Sequence, residues 1–488
     1  MKKPLTTLFL TLYFGVAMAT GVFNVRDYGA KGDGKSLDSP AINAAIEAAV
    51  RDGGGQVLLP AGTYLSGSIR MKSNIDLHLS AGCTILAAPA SMRAYDEPEL
   101  WEGPQYQDGG HTFFHNSLIW AEGVQNVSIT GRGTIDGQGL TKKDKEKGGN
   151  VQGGSIGTGD KAIALKLCRN ILIRDVTIFR GGHFAIIITG CDRGTIDNVT
   201  IDTNRDGIDI DCCKYITVTN TKVNTPNDDA IVLKSSYALK KAVPCEHILI
   251  TNCLVTGYKL GTFLSGEYIP EKVNWVCGRI KLGTESNGGY RNITISNCTC
   301  MWSSGLAFEE VDQGRMENIC VTNIAMEHVH HYPIYITTGC RNRGPKEVTQ
   351  PSSARNIQIS NIIATDCDSL CSIIVTGMKA EPIRNVWLSN IRLTFRGGGT
   401  KDLADKNYRE QGTNYPEPRW AGPTPAYGLY ARHVEGLHVN DVTFRYERPE
   451  YRPAIMLDDV RDATLNQIDA PTEPGVEQTV RVFIPIEK

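Results

Sequence analysis

The sequence predicts an all-β fold, a parallel β-helix or solenoid of short stacked strands, and three observations support this prediction. A seven-residue pattern, Asn–aliphatic–x–aliphatic–x–Asn/Asp–aliphatic, recurs along the chain. Clear copies are residues 170–176, 247–253, 292–298, 318–324, 356–362 and 385–391. The apolar and polar residues alternate in each copy, as in a strand with one buried face. Asp175, Asn198 and Asn220 share one repeat position at separations of 23 and 22 residues, a period that favours a solenoid over a propeller.

The elements follow in order from the N-terminus. Ser39 to Arg51 carries apolar residues at Ile42, Ala45, Ile46 and Ala49, which is helical spacing. A helix there would cap the N-terminal end of the solenoid, whose open edge otherwise invites pairing with another chain. From there to the C-terminus the pattern is one of strands and turns. Four Asn-X-Ser/Thr sequons coincide with repeat positions, so the same asparagines are expected to serve the fold.

The N-terminus predicts export. Lys2 and Lys3 precede an apolar run, and Ala17-Met18-Ala19 fits the small-x-small cleavage rule, which predicts a signal peptide over residues 1–19, cleaved after Ala19. The run is too short for a membrane span, which needs about 20 apolar residues. Residues 20–488 are then one β-helix catalytic domain of a periplasmic or extracellular protein.

Composition narrows the choice of partner. The chain has 488 residues, with 51 basic against 53 acidic side chains and a formal charge of −2, whereas a dedicated nucleic-acid binder would carry a basic excess. Its 14 cysteines would suit an exported protein either as disulfides or as stacked buried thiols, and both alternatives stay open.

The densest group of carboxylates lies between residues 202 and 229. Segments 204–211 and 227–234 align as consecutive rungs, with Asp206 stacked over Asp229 and Asp228 one residue before it. Stacked like charges raise one another's pKa, so retaining them favours a catalytic role over a turn ladder. Such a cluster suits glycoside hydrolysis, in which one acid protonates the leaving oxygen and other carboxylates activate water.

Two alternatives remain open at this point. The carboxylates are also suited to Ca²⁺, as in a polysaccharide lyase whose base would be Lys234 or Arg205. A non-catalytic carbohydrate-binding solenoid is the other. Proton transfer explains the acids without a metal or cofactor, so neither is expected, and the expected partner is a polysaccharide or oligosaccharide substrate.

The chain resembles the polygalacturonase family of glycoside hydrolases, family 28. The similar segments are residues 23–34, 59–64 and 129–137, and, more specifically, Asn204-Arg205-Asp206-Gly207 and Asp228-Asp229. The resemblance implies a right-handed parallel β-helix that hydrolyses pectic polysaccharide with inversion. It also implies that Asp228 is the general acid, that Asp206 and Asp229 position and activate water, and that Asn204 belongs to the substrate site.

The family's cationic motifs are missing from this chain. Alignment places Gly278 where the family has histidine, and Ala307 and Glu309 where it has arginine and lysine that grip a galacturonate carboxylate. Arg279, Lys281, Arg341 and His183 are the residues expected to compensate. An acidic Glu309 would favour a neutral sugar beyond the cut bond, so rhamnogalacturonan is predicted to be a better substrate than homogalacturonan.

Two long inserts, residues 94–115 and 397–427, are rich in aromatic side chains. Long loops in a compact domain are usually functional or disordered. Their aromatic rings would stack on sugars or pack on the β-helix. Two such walls would close one end of the groove, which predicts exo-acting cleavage.

Overall fold

The computed structural model describes residues 21–140, 157–272 and 276–482, and the described chain coils into one right-handed parallel β-helix. The fold prediction is therefore confirmed. The predicted signal peptide lies outside the described residues. No helix in the described ranges combines the length and apolar character needed to cross a membrane.

The elements are given in chain order. The strands are β1 Gly21–Asn24, β2 Asp33–Leu37, β3 Gly55–Leu59, β4 Gly62–Ser66, β5 Ile69–Arg70, β6 Ile75–Leu79, β7 Cys83–Ala87, β8 Ile119–Glu122, β9 Gln125–Gly131, β10 Thr134–Asp136, β11 Lys161–Lys166, β12 Arg169–Arg174, β13 Thr177–Phe179, β14 Phe184–Thr189, β15 Asp192–Asp197, β16 Thr200–Asp202, β17 Asp206–Asp211, β18 Lys214–Thr219, β19 Lys222–Asn224, β20 Ile231–Ser235, β21 Cys245–Thr251, β22 Leu254–Thr256, β23 Ile280–Ser286, β24 Tyr290–Ser303, β25 Leu306–Glu310, β26 Arg315–Val329, β27 Ile334–Thr338, β28 Ser353–Cys367, β29 Ile373–Thr376, β30 Ile383–Gly397, β31 Leu429–Arg448, β32 Ile455–Arg461, β33 Thr464–Asp469 and β34 Thr479–Val482. The helices are α1 Ser39–Arg51, α2 Thr262–Ser265 and α3 Lys401–Ala404.

Each complete rung contributes to three parallel sheets. In one rung β17 belongs to the sheet we call sheet A, β18 to sheet B and β19 to sheet C. Ile208 pairs with Ile231, and Ile210 pairs with Leu233, which is the predicted register of these two rungs. These inward pairs stack apolar residues on apolar residues, so a one-residue slip would turn the apolar row outward.

The core is the inside of the coil. The inward side chains Ile208, Ile210, Ile231 and Leu233 are fully buried, and each contributes about 1.5–3 kcal/mol through removal from water. Helix α1 covers the N-terminal end with the buried face predicted from its spacing, and it packs on β1 and β3.

Ladders of asparagine mark the bends between sheets. Asn292, Asn318 and Asn356 have φ near +57°, +59° and +56°, a left-handed conformation that asparagine tolerates better than most residues. Their side chains hydrogen-bond in a row, at 3.0 Å from Asn318 to Asn292 and 3.1 Å from Asn356 to Asn318. The sequon asparagines Asn126 and Asn198 adopt the same conformation, which explains why sequons coincide with the repeat.

All 14 cysteines lie in the described residues as free thiols, most of them buried. In the stack at the bend from sheet A to sheet B, the backbone N–H of Cys191 lies 3.3 Å from Sγ of Cys213. Burial raises the pKa of both thiols. Stacked buried thiols, rather than disulfides, are the alternative that the structure contains.

Candidate active site

A cavity of about 380 Å³ opens on the outer face of sheet A, at the rungs of β14, β17 and β20. Its principal polar lining residues are Asp108, His111, His183, Arg205, Asp206, Asp228, Asp229, Lys234, Glu285, Arg343 and Tyr415. Asp108 and His111 come from insert 94–115, and Tyr415 comes from insert 397–427. The two long inserts therefore meet the predicted carboxylate cluster.

The three predicted carboxylates do converge. Asp206 begins β17, and Asp228 and Asp229 lie in the turn before β20. One carboxylate oxygen from each lies within 4.8 Å of the other two. Gly207 permits this approach, because a Cβ there would lie 2.4 Å from the carbonyl oxygen of Ala230. The Asp-Gly pair is thus required by close packing of consecutive rungs.

Asn204 connects the two turns that carry the cluster. Its Oδ1 accepts a hydrogen bond from Nδ2 of Asn227 at 2.5 Å. The hydroxyl of Thr225 also donates to the backbone carbonyl of Arg205 at 2.8 Å. In this structure Asn204 positions the carboxylate-bearing turns; its predicted contact with substrate stays a prediction.

Asp229 is held ionised by buried cations. Nε of Arg279 donates to Oδ1 of Asp229 at 2.6 Å, and Nζ of Lys281 lies 3.5 Å from Oδ2. Burial alone would raise the pKa of Asp229, but Arg279, Lys281 and Lys234 hold that pKa below its ordinary range.

Arg279 also belongs to a hydrogen-bond network that was not predicted from the sequence. Its guanidinium donates to Glu417 at 2.6 and 3.1 Å and to the hydroxyl of Tyr332. Arg279 is 2% exposed, and its guanidinium is held by Asp229, Glu417 and Tyr332. Arg279 therefore acts as the counterion of Asp229, and the expectation that it binds a substrate carboxylate is corrected.

Asp206 and Asp228 have different surroundings from Asp229. Burial raises the pKa of Asp206 well above its ordinary value, and the neighbouring Asp228 raises it further. Oδ1 of Asp206 has no hydrogen-bond partner among the described residues. The Asp228 side chain is 25% exposed and lies 3.1 Å from Nη1 of Arg205. The pKa of Asp206 is raised whereas that of Asp229 is lowered, so the cluster can hold a protonated carboxyl beside an ionised one, as acid–base chemistry requires.

His183 lies at the cavity wall, and its predicted contact with substrate stays a prediction. Its ring stacks on Phe184 with centroids 4.4 Å apart, and Nε2 lies 3.3 Å from Oδ1 of Asp108 and from Nη2 of Arg205. Burial lowers the pKa of His183 to about 3, although Asp108 opposes this. His183 is therefore a neutral hydrogen-bonding group at neutral pH.

Three of the predicted substrate-binding residues lie beneath the surface. Nζ of Lys281 is 3.2 Å from Oε2 of Glu309, and both side chains are 2% exposed or less. Arg341 pairs with Asp312 through both nitrogens of its fork. Tyr415 and Glu417 of insert 397–427 contact Thr284 and Arg279 beside this pair. The expectation that Glu309 faces a sugar is thus corrected, because Glu309 has no exposed surface.

A second layer of polar groups under the cavity was missed. Asp209 and Asp211 lie on β17, and His111 sits between them at 3.5 and 3.3 Å. Because Ile208 and Ile210 point inward, the alternation of the strand could have placed both aspartates outward. Nothing in the sequence indicated His111, which reaches Asp211 from 100 residues away.

Within the part of the chain that the structure describes, two clusters that contain carboxylates have the spacing of a metal site. At Asp206, Asp228 and Asp229, a cation would compete with Arg205, Arg279 and Lys281. At Glu99, His115 and Glu122, Nζ of Lys166 already lies 3.0 Å from Glu122 and 3.9 Å from Glu99. Resident protein cations therefore neutralise both clusters.

Comparison with known proteins gives a consistent assignment. The family described as Rhamnogalacturonase A/epimerase, pectate lyase-like, matches residues 22–259. An exopolygalacturonase of Platanus acerifolia is 25% identical over 403 residues, which cover 79% of this chain and 93% of the relative.

Two solved structures share the fold. The exopolygalacturonase of Thermotoga maritima superposes with a TM-score of 0.64 at 21% identity, covering 87% of this chain and 92% of the other. The family 28 exopolygalacturonase of Yersinia enterocolitica gives 0.65 at 18% identity, covering 91% and 78%.

The fold and the carboxylate cluster together define a β-helix of the pectinase class. Within that class the chain is similar to the glycoside hydrolase family 28 pectinases, which its named relatives support.

Proposed function

We propose that the protein is an exo-acting, inverting glycoside hydrolase that cleaves pectic oligosaccharides between an acidic sugar and a neutral sugar. The observation that carries this proposal is the cluster of Asp206, Asp228 and Asp229 within 4.8 Å, inside a cavity bounded by both long inserts. The relatives named exopolygalacturonase support a pectic substrate.

The three carboxyls have separate tasks in the proposed reaction. Asp228, the most exposed of the three, donates its proton to the glycosidic oxygen as the bond from that oxygen to the anomeric carbon breaks. A water attacks the anomeric carbon, and Asp229 accepts the proton that this water loses. Asp206 holds the same water with Oδ1, the buried oxygen that has no partner among the described residues.

Burial supports inversion. A retaining enzyme needs a carboxylate that reaches the anomeric carbon and bonds to it. The side chains of Asp206 and Asp229 are only 4% and 3% exposed, and Asp229 is fixed by Arg279. They can hold water more readily than they can form a covalent intermediate.

The carboxyl spacing sets the critical test of this stereochemistry. Oxygen atoms within 4.8 Å are closer than the roughly 6.5–9.5 Å typical of an inverting pair. NMR of the first product resolves the question: inversion gives the opposite anomer from the substrate, and a retained anomer would contradict the proposal.

The sugars proposed on the two sides of the cut bond follow from which cations are already paired with carboxylates of the protein. Arg279 and Lys281 neutralise Asp229, Glu309 and Glu417, so they are not available to a sugar carboxylate at that rung. A neutral sugar such as rhamnose suits this side of the cut. The acidic sugar belongs beside Arg205, the partly exposed cavity arginine that is paired with Asp228.

The lyase alternative lacks a base. Burial would lower the pKa of Arg205 and of Lys234, but neighbouring carboxylates raise both above their ordinary values. Neither cation can readily give up its proton to become a base. An unsaturated, ultraviolet-absorbing product that depends on Ca²⁺ would restore the lyase proposal, and saccharide binding without any product would favour a binding solenoid.

Asp228→Asn tests the proposed hydrolase. We expect turnover of rhamnogalacturonan oligosaccharides to fall by about 10²–10⁴-fold, the usual contribution of a general acid. Thermal unfolding should be nearly unchanged, because Asp228 is partly exposed. Asp405→Asn, an exposed aspartate in insert 397–427, is the control and should keep full activity. Near wild-type turnover by Asp228→Asn would remove Asp228 as the acid.

We also propose that residues 1–19 are removed on export and that residues 20–488 form one catalytic domain. The charged start, apolar run and Ala17-Met18-Ala19 support this. N-terminal sequencing of protein recovered outside the cytoplasm should begin at Thr20; recovery of uncleaved protein inside the cell would contradict it.

A further inference from the structure

Arg205 lies between Asp206 and Asp228, two of the three proposed catalytic carboxyls, which belong to consecutive rungs. Its Nη1 lies 3.1 Å from Oδ2 of Asp228, and Nη2 lies 3.6 Å from Oδ2 of Asp206. The same Nη2 approaches Nε2 of His183 at 3.3 Å. Its Nε is buried without a hydrogen-bond partner among the described residues, so the guanidinium fork is not saturated.

This position conflicts with the role of Asp228 as an acid. A general acid must carry a proton before the reaction, and the guanidinium of Arg205, 3.1 Å from Oδ2 of Asp228, competes with a proton for the same carboxyl oxygens. Something that comes with the substrate has to weaken the Arg205–Asp228 pair.

The other cations that line the cavity are paired with residues other than Asp228. Lys234 is paired with Glu285 at 3.2 Å, and both side chains are nearly buried. Arg343 is 48% exposed, but Nη1 lies 3.9 Å from Oε1 of Glu285 and its backbone N–H donates to Oδ1 of Asp312. Among the described cations that line the cavity, Arg205 alone combines 26% exposure with a direct ion pair to Asp228.

We propose that Arg205 binds the carboxylate of the substrate's acidic sugar, and that this transfer releases Asp228 to take up the proton it donates. A carboxylate fits the planar fork of arginine through two parallel hydrogen bonds. The substrate's own charge thus prepares the acid, so an acidic sugar is selected at the chemical step as well as in binding. This inference rests on the hydrolase function proposed above.

The charges around Arg205 come from three parts of the chain. Asp206 and Asp209 belong to β17, Asp228 to the following turn, and Asp108 to insert 94–115. Together they make the site acidic, so one guanidinium is shared among several carboxylates. Asp229 is not part of this competition, because Arg279 and Lys281 neutralise it. A substrate carboxylate must outcompete Asp228 in particular, the most exposed of the catalytic three.

The test compares two matched substrates. One is a rhamnogalacturonan oligosaccharide, and the other is the same oligosaccharide with its uronic acids reduced to neutral hexoses. For Arg205→Gln we expect the preference for the acidic substrate, as a ratio of kcat/KM values, to fall by about 10-fold or more, since hydrogen bonds to charged groups contribute roughly 1.5–3 kcal/mol. Arg205→Lys keeps the charge but not the fork and should fall between wild type and Arg205→Gln.

The pH profile separates this role from a merely structural one. Arg205→Gln removes the cation that lies 3.1 Å from Asp228, so the alkaline limb of kcat/KM should move to higher pH. Arg343→Gln is the matched control: it also removes a cavity arginine, but it should leave that limb in place. Equal loss on both substrates with an unmoved limb for Arg205→Gln would overturn the inference.

Binding can be measured apart from turnover. In the Asp228→Asn background, calorimetry should show tighter binding of the acidic oligosaccharide when Arg205 is present than in the Arg205→Gln double variant. Equal affinities would overturn the inference even if the wild type is a hydrolase. Absence of hydrolysis of both substrates by the wild type would instead refute the proposed function, and this inference with it.

Discussion

Asp229 illustrates how a single carboxylate is prepared for its role by residues distant in the sequence. Arg279 holds it at 2.6 Å, and Glu417 and Tyr332 in turn fix Arg279. Removing one member of a buried ion pair leaves an uncompensated charge and typically costs about 3–5 kcal/mol. The network therefore serves both stability and the ionisation state of Asp229.

We predict that Arg279→Gln shifts the acid limb of the pH–rate profile upward. The pKa of Asp229 is depressed in the folded protein, so Asp229 stays ionised at pH values where an ordinary aspartate would take up a proton. Without Arg279 that pKa rises, and activity should be lost at a higher pH. Arg279→Lys, which keeps the charge, should retain more of the wild-type limb. Circular dichroism must first confirm folding, and an unmoved acid limb in folded Arg279→Gln would contradict the prediction.

The positions of individual residues could be predicted from the sequence where their contacts are local. Asp206, Asp228 and Asp229 could be placed because each rung repeats the one before it. The alternation of inward and outward residues along β17 would also have placed Asp209 and Asp211 on its outer face. Burial of Arg279, Lys281 and Glu309 could not be foreseen, since it depends on how insert 397–427 folds across sheet A. Glu417 meets Arg279 from 138 residues away, and no periodicity links the two.

At the scale of the elements, each asparagine of a ladder meets two requirements: it adopts a left-handed backbone conformation, and its side chain hydrogen-bonds to the neighbouring rungs. Asn318 adopts φ of +59° and bridges Asn292 and Asn356 with hydrogen bonds of 3.0 and 3.1 Å. The repeat was recognised from sequence because this bend recurs at every rung, whereas the length and course of the inserts follow no such rule.

We predict that Asn318→Ala is more destabilising than Asn318→Gly. Both lose the ladder hydrogen bonds, worth about 1 kcal/mol each, but only alanine is also forced into a left-handed backbone conformation at a cost of about 1–2 kcal/mol. Denaturant unfolding measures the difference. Activity per folded molecule should be unchanged in both, because the ladder lies away from the cavity. Equal stabilities would show that the backbone conformation is not the controlling factor.

For the molecule as a whole, the inserts convert an open face into an enclosed cavity. Insert 94–115 crosses sheet A, where Trp101 lies under Lys240 at 5.1 Å and Tyr106 packs on Tyr237 at 5.3 Å. Insert 397–427 crosses on the other side of the carboxylates, where the carbonyl of Gly412 accepts from the backbone N–H of Cys340 at 2.8 Å. Trp101 and Tyr106 of the first insert thus pack on the protein, which is the packing alternative considered from sequence.

A cavity walled on both sides along the helix axis should admit a chain end more readily than the middle of a polymer. We therefore predict that the wild type releases one or two sugars at a time, with little early loss of polymer viscosity. Replacing both Trp101 and Tyr106 by alanine removes two anchors of the first wall, so longer oligosaccharides should appear among the early products. Trp387→Ala, on the distant face of sheet B, is the control and should keep the wild-type product pattern. Sizing of products over time measures this; rapid loss of viscosity by the wild type would show that the two inserts leave the groove open to internal cleavage.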